Sequence, residues 1–201
     1  MVQRKIYQRI HRKRYPWGAA FALLIVLGPL LVLDSSSAVD SGRQDGGSDS
    51  PSHNFIHGFL SEGAIGKTQT LWLTREIKER AAAILGHRFN GLRVRYWGEH
   101  NRTVWILDEV GKEMPITIGV AVEAGKLLNI QILEYRESRG GEVRYPFFTD
   151  QFKGLILESE NQDKLNGYID GITGATLSVA AVRKVAILAL VFHQHTPYRA
   201  E

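Results

Sequence analysis

Two long runs, Ile116–Val122 and Lys126–Leu133, alternate polar and apolar residues around the turn Glu123-Ala-Gly125. Alternation of period two puts every second side chain on one face, the pattern of a half-buried antiparallel sheet. Such a sheet needs an apolar layer against it. The C-terminal run Val179–Phe192, apolar except at Arg183 and Lys184, supplies one. It is short and interrupted for a membrane span, and reads as a core helix. Earlier, Leu92–Trp97 and Thr103–Leu107 pair as a hairpin around 98–101. Before them, Thr74 caps a helix with Ile77, Ala81, Ile84 and Leu85 on its apolar stripe and Gly86 as its stop. Another helical piece is expected over Phe147–Gly154. The chain therefore predicts an α+β fold, an antiparallel sheet packed against helices, with no internal repeat.

Ahead of this lies a different chemistry. Residues 1–16 carry six basic side chains and no acid. The uncharged apolar run Trp17–Leu33 follows, just long enough as a helix to cross a bilayer. Cations before it and acids after it (Asp34, Asp40) predict a cytoplasmic basic tail over 1–16, a transmembrane anchor or signal sequence over 17–33, and an exported remainder. Length favours the anchor. Cleavage at Ser36-Ser37-Ala38 would instead release a secreted protein. The Ser/Gly/Asp-rich stretch from Asp34 reads as a flexible linker over 34–60, leaving 61–201 as the extracytoplasmic domain.

The whole chain has 25 Lys+Arg against 21 Asp+Glu. Without the six basic residues of the tail, the remainder is slightly acidic. That gives no basic face for nucleic acid. Cysteine is absent, which excludes disulfides, zinc–thiolate sites, Cys-ligated iron–sulfur clusters and c-type haem. His53 and His57 have helical metal spacing, but Gly58 and the linker context argue for surface histidines outside a helix. His193 and His195 are expected at the frayed end of the last helix. No metal site and no catalytic residue is assigned.

Nine residues, Asp170-Gly-Ile-Thr-Gly-Ala-Thr-Leu-Ser178, open the last helix. Small residues let backbone approach a ligand closely, and the amides of a helix start attract anions. Local chemistry alone is also satisfied by a turn that merely starts a helix. The loop Tyr135–Arg144, with three arginines, two glutamates and a Gly-Gly pair, reads either as a charged surface loop or as a ligand-facing one.

The D-x-x-T-G-A-T at Asp170–Thr176 resembles the D-x-x-[ST]-G-A-[TS] signature of the FMN-binding domain family. Members include the C subunit of the sodium-pumping NADH:quinone oxidoreductase, the G subunit of the Rnf complex and stand-alone membrane-anchored proteins. The resemblance extends over about residues 90–192, through Ile116-Thr-Ile-Gly-Val, Glu137-Ser-Arg-Gly140 and Gln151-Phe-Lys-Gly154. Where the pump subunits show Glu-Thr-Pro-Gly, this chain has Glu-Ser-Arg-Gly, which favours a stand-alone carrier.

The resemblance implies FMN joined by a phosphoester to Thr176, installed from FAD by a separate magnesium-dependent flavin transferase. It places Thr173, Gly174, Ala175, Leu177, Ser178 and Asp170 around the attachment point. Thr173 would brace the turn, and Asp170 would point away from the phosphate. Glu137, Ser138 and Gly140 would approach the ring's polar edge. The apolar wall would draw one or two residues from Tyr135, Phe147, Phe148, Trp97 and Trp105.

The function implied is a membrane-tethered electron-transfer flavoprotein rather than a stand-alone catalyst. It would lie in the inner membrane with its N-terminus cytoplasmic and its domain periplasmic. Redox partner proteins or a quinone pathway would stand on either side of it. A flavin- or ligand-dependent sensor or scaffold, and a module holding a phosphate ligand non-covalently, are the alternatives.

Overall fold

A computed structural model describes residues 50–159 and 163–199. The basic tail, the apolar run 17–33 and the linker to residue 49 lie outside the described residues. Described elements run α1 (Pro51–His57), α2 (Glu62–Ile65), β1 (Gln69–Trp72), α3 (Arg75–Leu85), β2 (Arg93–Glu99), β3 (Arg102–Val110), β4 (Pro115–Glu123), β5 (Lys126–Tyr135), α4 (Pro146–Thr149) and α5 (Thr176–Gln194). Short 3-10 turns flank α4 at Gly141–Arg144 and Asp150–Phe152.

The strands form one antiparallel meander in the order β1-β2-β3-β4-β5. The fold is α+β, as the alternation requires. One face of the sheet holds the main core, covered by α5 and α3, with Trp105, Ile116, Ile118, Val120 and Val122 beneath them. Thr74 caps α3 by accepting from the Ile77 N–H at 3.3 Å, and Gly86 ends it in the left-handed conformation at φ 75°.

The opposite face corrects the domain boundary. The linker expected over 34–60 ends by residue 50. There Ser50 caps α1, Pro51 occupies its first turn, and Phe55, Ile56 and Leu60 are buried against Val104 and Ala121. Proline at that position loses no helical hydrogen bond. Gly119 makes room for this layer, since a Cβ there would stand 2.7 Å from the Phe55 ring. Buried on both faces, β4 runs through the middle of the domain.

α5 is long and apolar enough to cross a bilayer, but thirteen of its nineteen residues are buried within the domain. It also begins earlier than its apolar run, so that Thr176, Leu177 and Ser178 form its first turn. Its far end is not frayed. His193 is fully buried: Thr103 Oγ1 lies 2.8 Å from its Nδ1, and its Nε2 accepts from the Gly125 N–H at 3.3 Å. Trp105 Nε1–H donates to the same Thr103 oxygen at 2.9 Å. This chain ties α5 to the β4–β5 turn, where Ala124 is held at a positive φ of 49°.

Burial pushes the His193 imidazole down to about 4, from an ordinary value near 6.5. His195 is lowered too, by burial and then by Arg80 and Arg199. Between those pH values the unfolded chain binds a proton that the native chain refuses. Stability therefore falls as pH drops from about 6.5 to 4 and is fully present above 6.5. For His193 the expected loss is about 3 kcal/mol, the order of the full shift of a fully buried ring. Denaturant unfolding at several pH values should show that slope, and His193→Gln should flatten it.

Candidate functional site

The Asp170–Ser178 stretch wraps into the start of α5. Ala175 N–H donates to Ile172 C=O at 3.0 Å, closing a turn through Gly174, whose φ of 81° suits glycine. Ala175 is the cap residue and gives no side-chain cap. The first amide that bonds back into the helix is that of Val179, to Ala175 C=O at 2.9 Å. The N–H groups of Thr176, Leu177 and Ser178 are thus the orphan donors of a nineteen-residue helix, at the positive end of its dipole. Thr176 is exposed, and its hydroxyl has no hydrogen-bond partner among the described residues.

Two clefts meet at this turn. One, of about 530 Å3, is lined by Tyr135, Ser138, Arg139, Tyr145, Thr173 and Gly174 among others. The second, of about 640 Å3, includes Lys112, Ser138, Arg139, Thr176 and Leu177. Both volumes fall in the range of small-molecule sites. Glu137, Ser138, Arg139 and Gly174 belong to both.

The loop after β5 is locked onto the signature. Tyr135 O–H donates to Arg139 C=O at 2.5 Å, so it accepts from the Ser178 hydroxyl at 2.9 Å. Gly140, at φ 81°, packs so closely that a Cβ would lie 2.9 Å from the Tyr135 hydroxyl and 3.0 Å from Ala175 Cβ. Only glycine satisfies both the conformation and the space. On the other side, Glu137 Oε1 accepts from the N–H groups of Lys112, Glu113 and Met114 at 2.5, 2.7 and 3.0 Å. The amides of Met114, Glu113 and Lys112 hold its carboxyl below the usual carboxylate range. Glu137 therefore fastens the β3–β4 turn to the cleft wall.

Glu137 and Gly140 both line the first cleft; one carboxylate oxygen of Glu137 is taken by backbone amides, and Gly140 packs against Tyr135 and Ala175. Of the Glu-Ser-Arg-Gly loop, Ser138 and Arg139 are exposed at the clefts. The hydroxyl of buried Ser178 faces Tyr135, which leaves its amide for a ligand. Thr173 braces nothing through its side chain, because its hydroxyl makes no hydrogen bond with a described residue; it lines the first cleft instead. Asp170 lines neither cleft, and its N–H donates to Gln151 Oε1 at 2.7 Å.

Among the aromatic candidates, Trp105 and Phe148 are core residues with no exposure, and Trp97 packs on the opposite sheet face. Tyr135 lines the first cleft, and exposed Phe147 sits beside cleft-lining Tyr145, ring centroids 6.2 Å apart. Tyr145, Arg139 and Lys112 were not singled out in the sequence. A Tyr-Pro step after a charged Gly-Gly loop was the available signal for the first.

Orphan amides, a small-residue turn and an unpartnered hydroxyl suit a phosphate group. The clefts beside them suit a planar ring system edged by polar groups. Residues 111–191 match the family model of the FMN-binding domain. Over those residues the chain is similar to the FMN-binding domain family, and FMN is the cofactor the match supports. No curated protein matches the chain.

Proposed function

We propose that this protein carries FMN as a phosphoester on Thr176 and passes electrons while tethered to the membrane by residues 17–33, its domain outside the cytoplasm. The observation that carries this reading is the Thr176 hydroxyl, exposed and without a partner among the described residues, at a helix start whose amides are free to hold a phosphate. A threonine hydroxyl is a weak nucleophile, so a flavin transferase with its magnesium ion would activate it. The Thr176 oxygen–phosphorus bond forms as the pyrophosphate bond of FAD breaks. AMP leaves, and the hydroxyl proton goes to the transferase. The amides of residues 176–178 would neutralise the bound phosphate, and Gly174 and Ala175 keep side chains out of its way.

Bound FMN supplies one- and two-electron redox chemistry; the protein positions it and tunes its potential. Tyr135, Ser138, Arg139 and Tyr145 stand where they would flank the ring system. Without cysteine the chain has no thiolate-ligated second redox centre, so donor and acceptor are other proteins or a quinone pool. Covalent attachment prevents loss of the cofactor outside the cytoplasm. The test is an anaerobic reductive titration of the flavinylated full chain in membranes, followed by addition of quinone or the isolated partner. Reoxidation at a rate that depends on acceptor concentration is expected. A flavin that reduces but is reoxidised by no acceptor would favour a sensor or scaffold.

A further inference from the structure

We propose a second ligand site, remote in sequence from the flavin signature: a divalent transition-metal site of Cu(II) type on α1, formed by His53 and His57. The two residues occupy one face of the helix at i and i+4. Their Nε2 atoms are 2.9 Å apart and their ring centroids 4.0 Å apart. Both rings are partly buried, and Ser50 fixes the first turn by accepting from the His53 N–H at 3.2 Å.

Two neutral imidazoles at this distance share one proton. One Nε2 donates it and the other presents a lone pair. The Glu62 carboxylate lies 3.4 Å from His57 Nδ1. It favours the proton on that nitrogen and leaves His57 Nε2 as the acceptor. A carboxylate behind a ligating histidine is also the usual arrangement that orients the ring. A metal ion can take the place of the shared proton, with loss of the His53 Nε2 proton to solvent or a change of its tautomer.

Among first-row divalent ions a nitrogen site binds Cu(II) most tightly, ahead of Ni(II) and Zn(II). Imidazole suits these ions, and the chain has no thiolate to draw a softer one elsewhere. Among the described residues no group of three or more ligating side chains gathers, so water completes the coordination. The consequence is structural. The ion would staple two turns of the helix that carries Phe55 and Ile56 onto the outer sheet face, where the chain enters the domain.

The test is Cu(II) titration of the full chain against a weak competing chelator, followed by electron paramagnetic resonance and thermal unfolding. It needs no flavin, so its outcome is independent of the function proposed above. One ion per chain with two equatorial imidazole nitrogens is expected. Affinity should fall at least tenfold in His53→Gln and in His57→Gln, and by less in Glu62→Gln. The order Cu(II) above Ni(II) and Zn(II) should hold, and His100→Asn should bind as the native chain does. Unchanged metal-free unfolding midpoints show that the variants are folded. Equal Cu(II) affinity in the native chain and the double glutamine variant, or a spectrum with fewer than two imidazole nitrogens, overturns the site.

Discussion

Replacing Thr176 by valine should leave a folded protein without covalent flavin. Valine keeps the β-branched shape and removes the oxygen that would bond to phosphorus. Because Thr176 is exposed and its hydroxyl bonds to no described residue, the fold loses little. Surface substitutions of this kind cost within about 0.5 kcal/mol. When the chain is co-expressed with a flavin transferase, intact mass should show the adduct on the native chain and none on Thr176→Val. Thr176→Ser, which keeps a hydroxyl at the same helix start, should retain it. Thr173→Val should retain it as well, because Thr173 lies outside the helix and its hydroxyl braces nothing. An adduct surviving in Thr176→Val would move the attachment to Thr173 or Ser178. The second of these is the weaker rival, since its hydroxyl is buried against Tyr135.

Phe192→Ala should do the reverse: a large loss of stability with flavin attachment intact below the new unfolding midpoint. Phe192 is fully buried at the other end of the same helix, 5.6 Å from the Trp105 ring and 6.1 Å from Phe89 between centroids. Truncating such a ring leaves a cavity and costs about 3–5 kcal/mol. For a domain of this size the midpoint should fall by roughly 10 °C. Sixteen residues separate Phe192 from Thr176, about 24 Å along the helix, so the phosphate seat is not touched directly. The two variants separate the double role proposed for α5, which would present the attachment residue at one end and fills the core with the rest. A thermal melt and an intact mass on each variant check both halves.

Much of this architecture is legible in the sequence because local chemistry and tertiary need coincide. Thr74 and Gly86 bound α3 because cap and stop are local signals. β4 and β5 alternate because their larger apolar residues pack on one face, while β4 offers only Thr117, Gly119 and Ala121 to the other, and their turn at Ala124-Gly125 interrupts the pattern. The signature at the start of α5 is a contiguous motif, so its place was readable together with its chemistry.

What was missed depends on partners distant in sequence. β1 is four residues long and becomes a strand only by pairing with β2. α1 looked like tether because Ser50, Pro51 and Gly58 read as loop residues. They are instead its cap, its first turn and its end, and its apolar residues find Gly119 and Ala121 about sixty positions later. His193 looked terminal, yet the β-turn that buries it lies 68 residues earlier. The role of Glu137 was obscured for another reason. Its partners are backbone amides, which carry no side-chain signature in a sequence.

The most direct test of the central claim is tandem mass spectrometry of the tryptic peptide Leu165–Arg183 from chain matured with a flavin transferase. It contains Thr173, Thr176 and Ser178 together. The account predicts a mass gain of FMN less one water, with fragment ions that assign it to Thr176. An unmodified peptide, from a host that flavinylates a control protein in the same preparation, would contradict it.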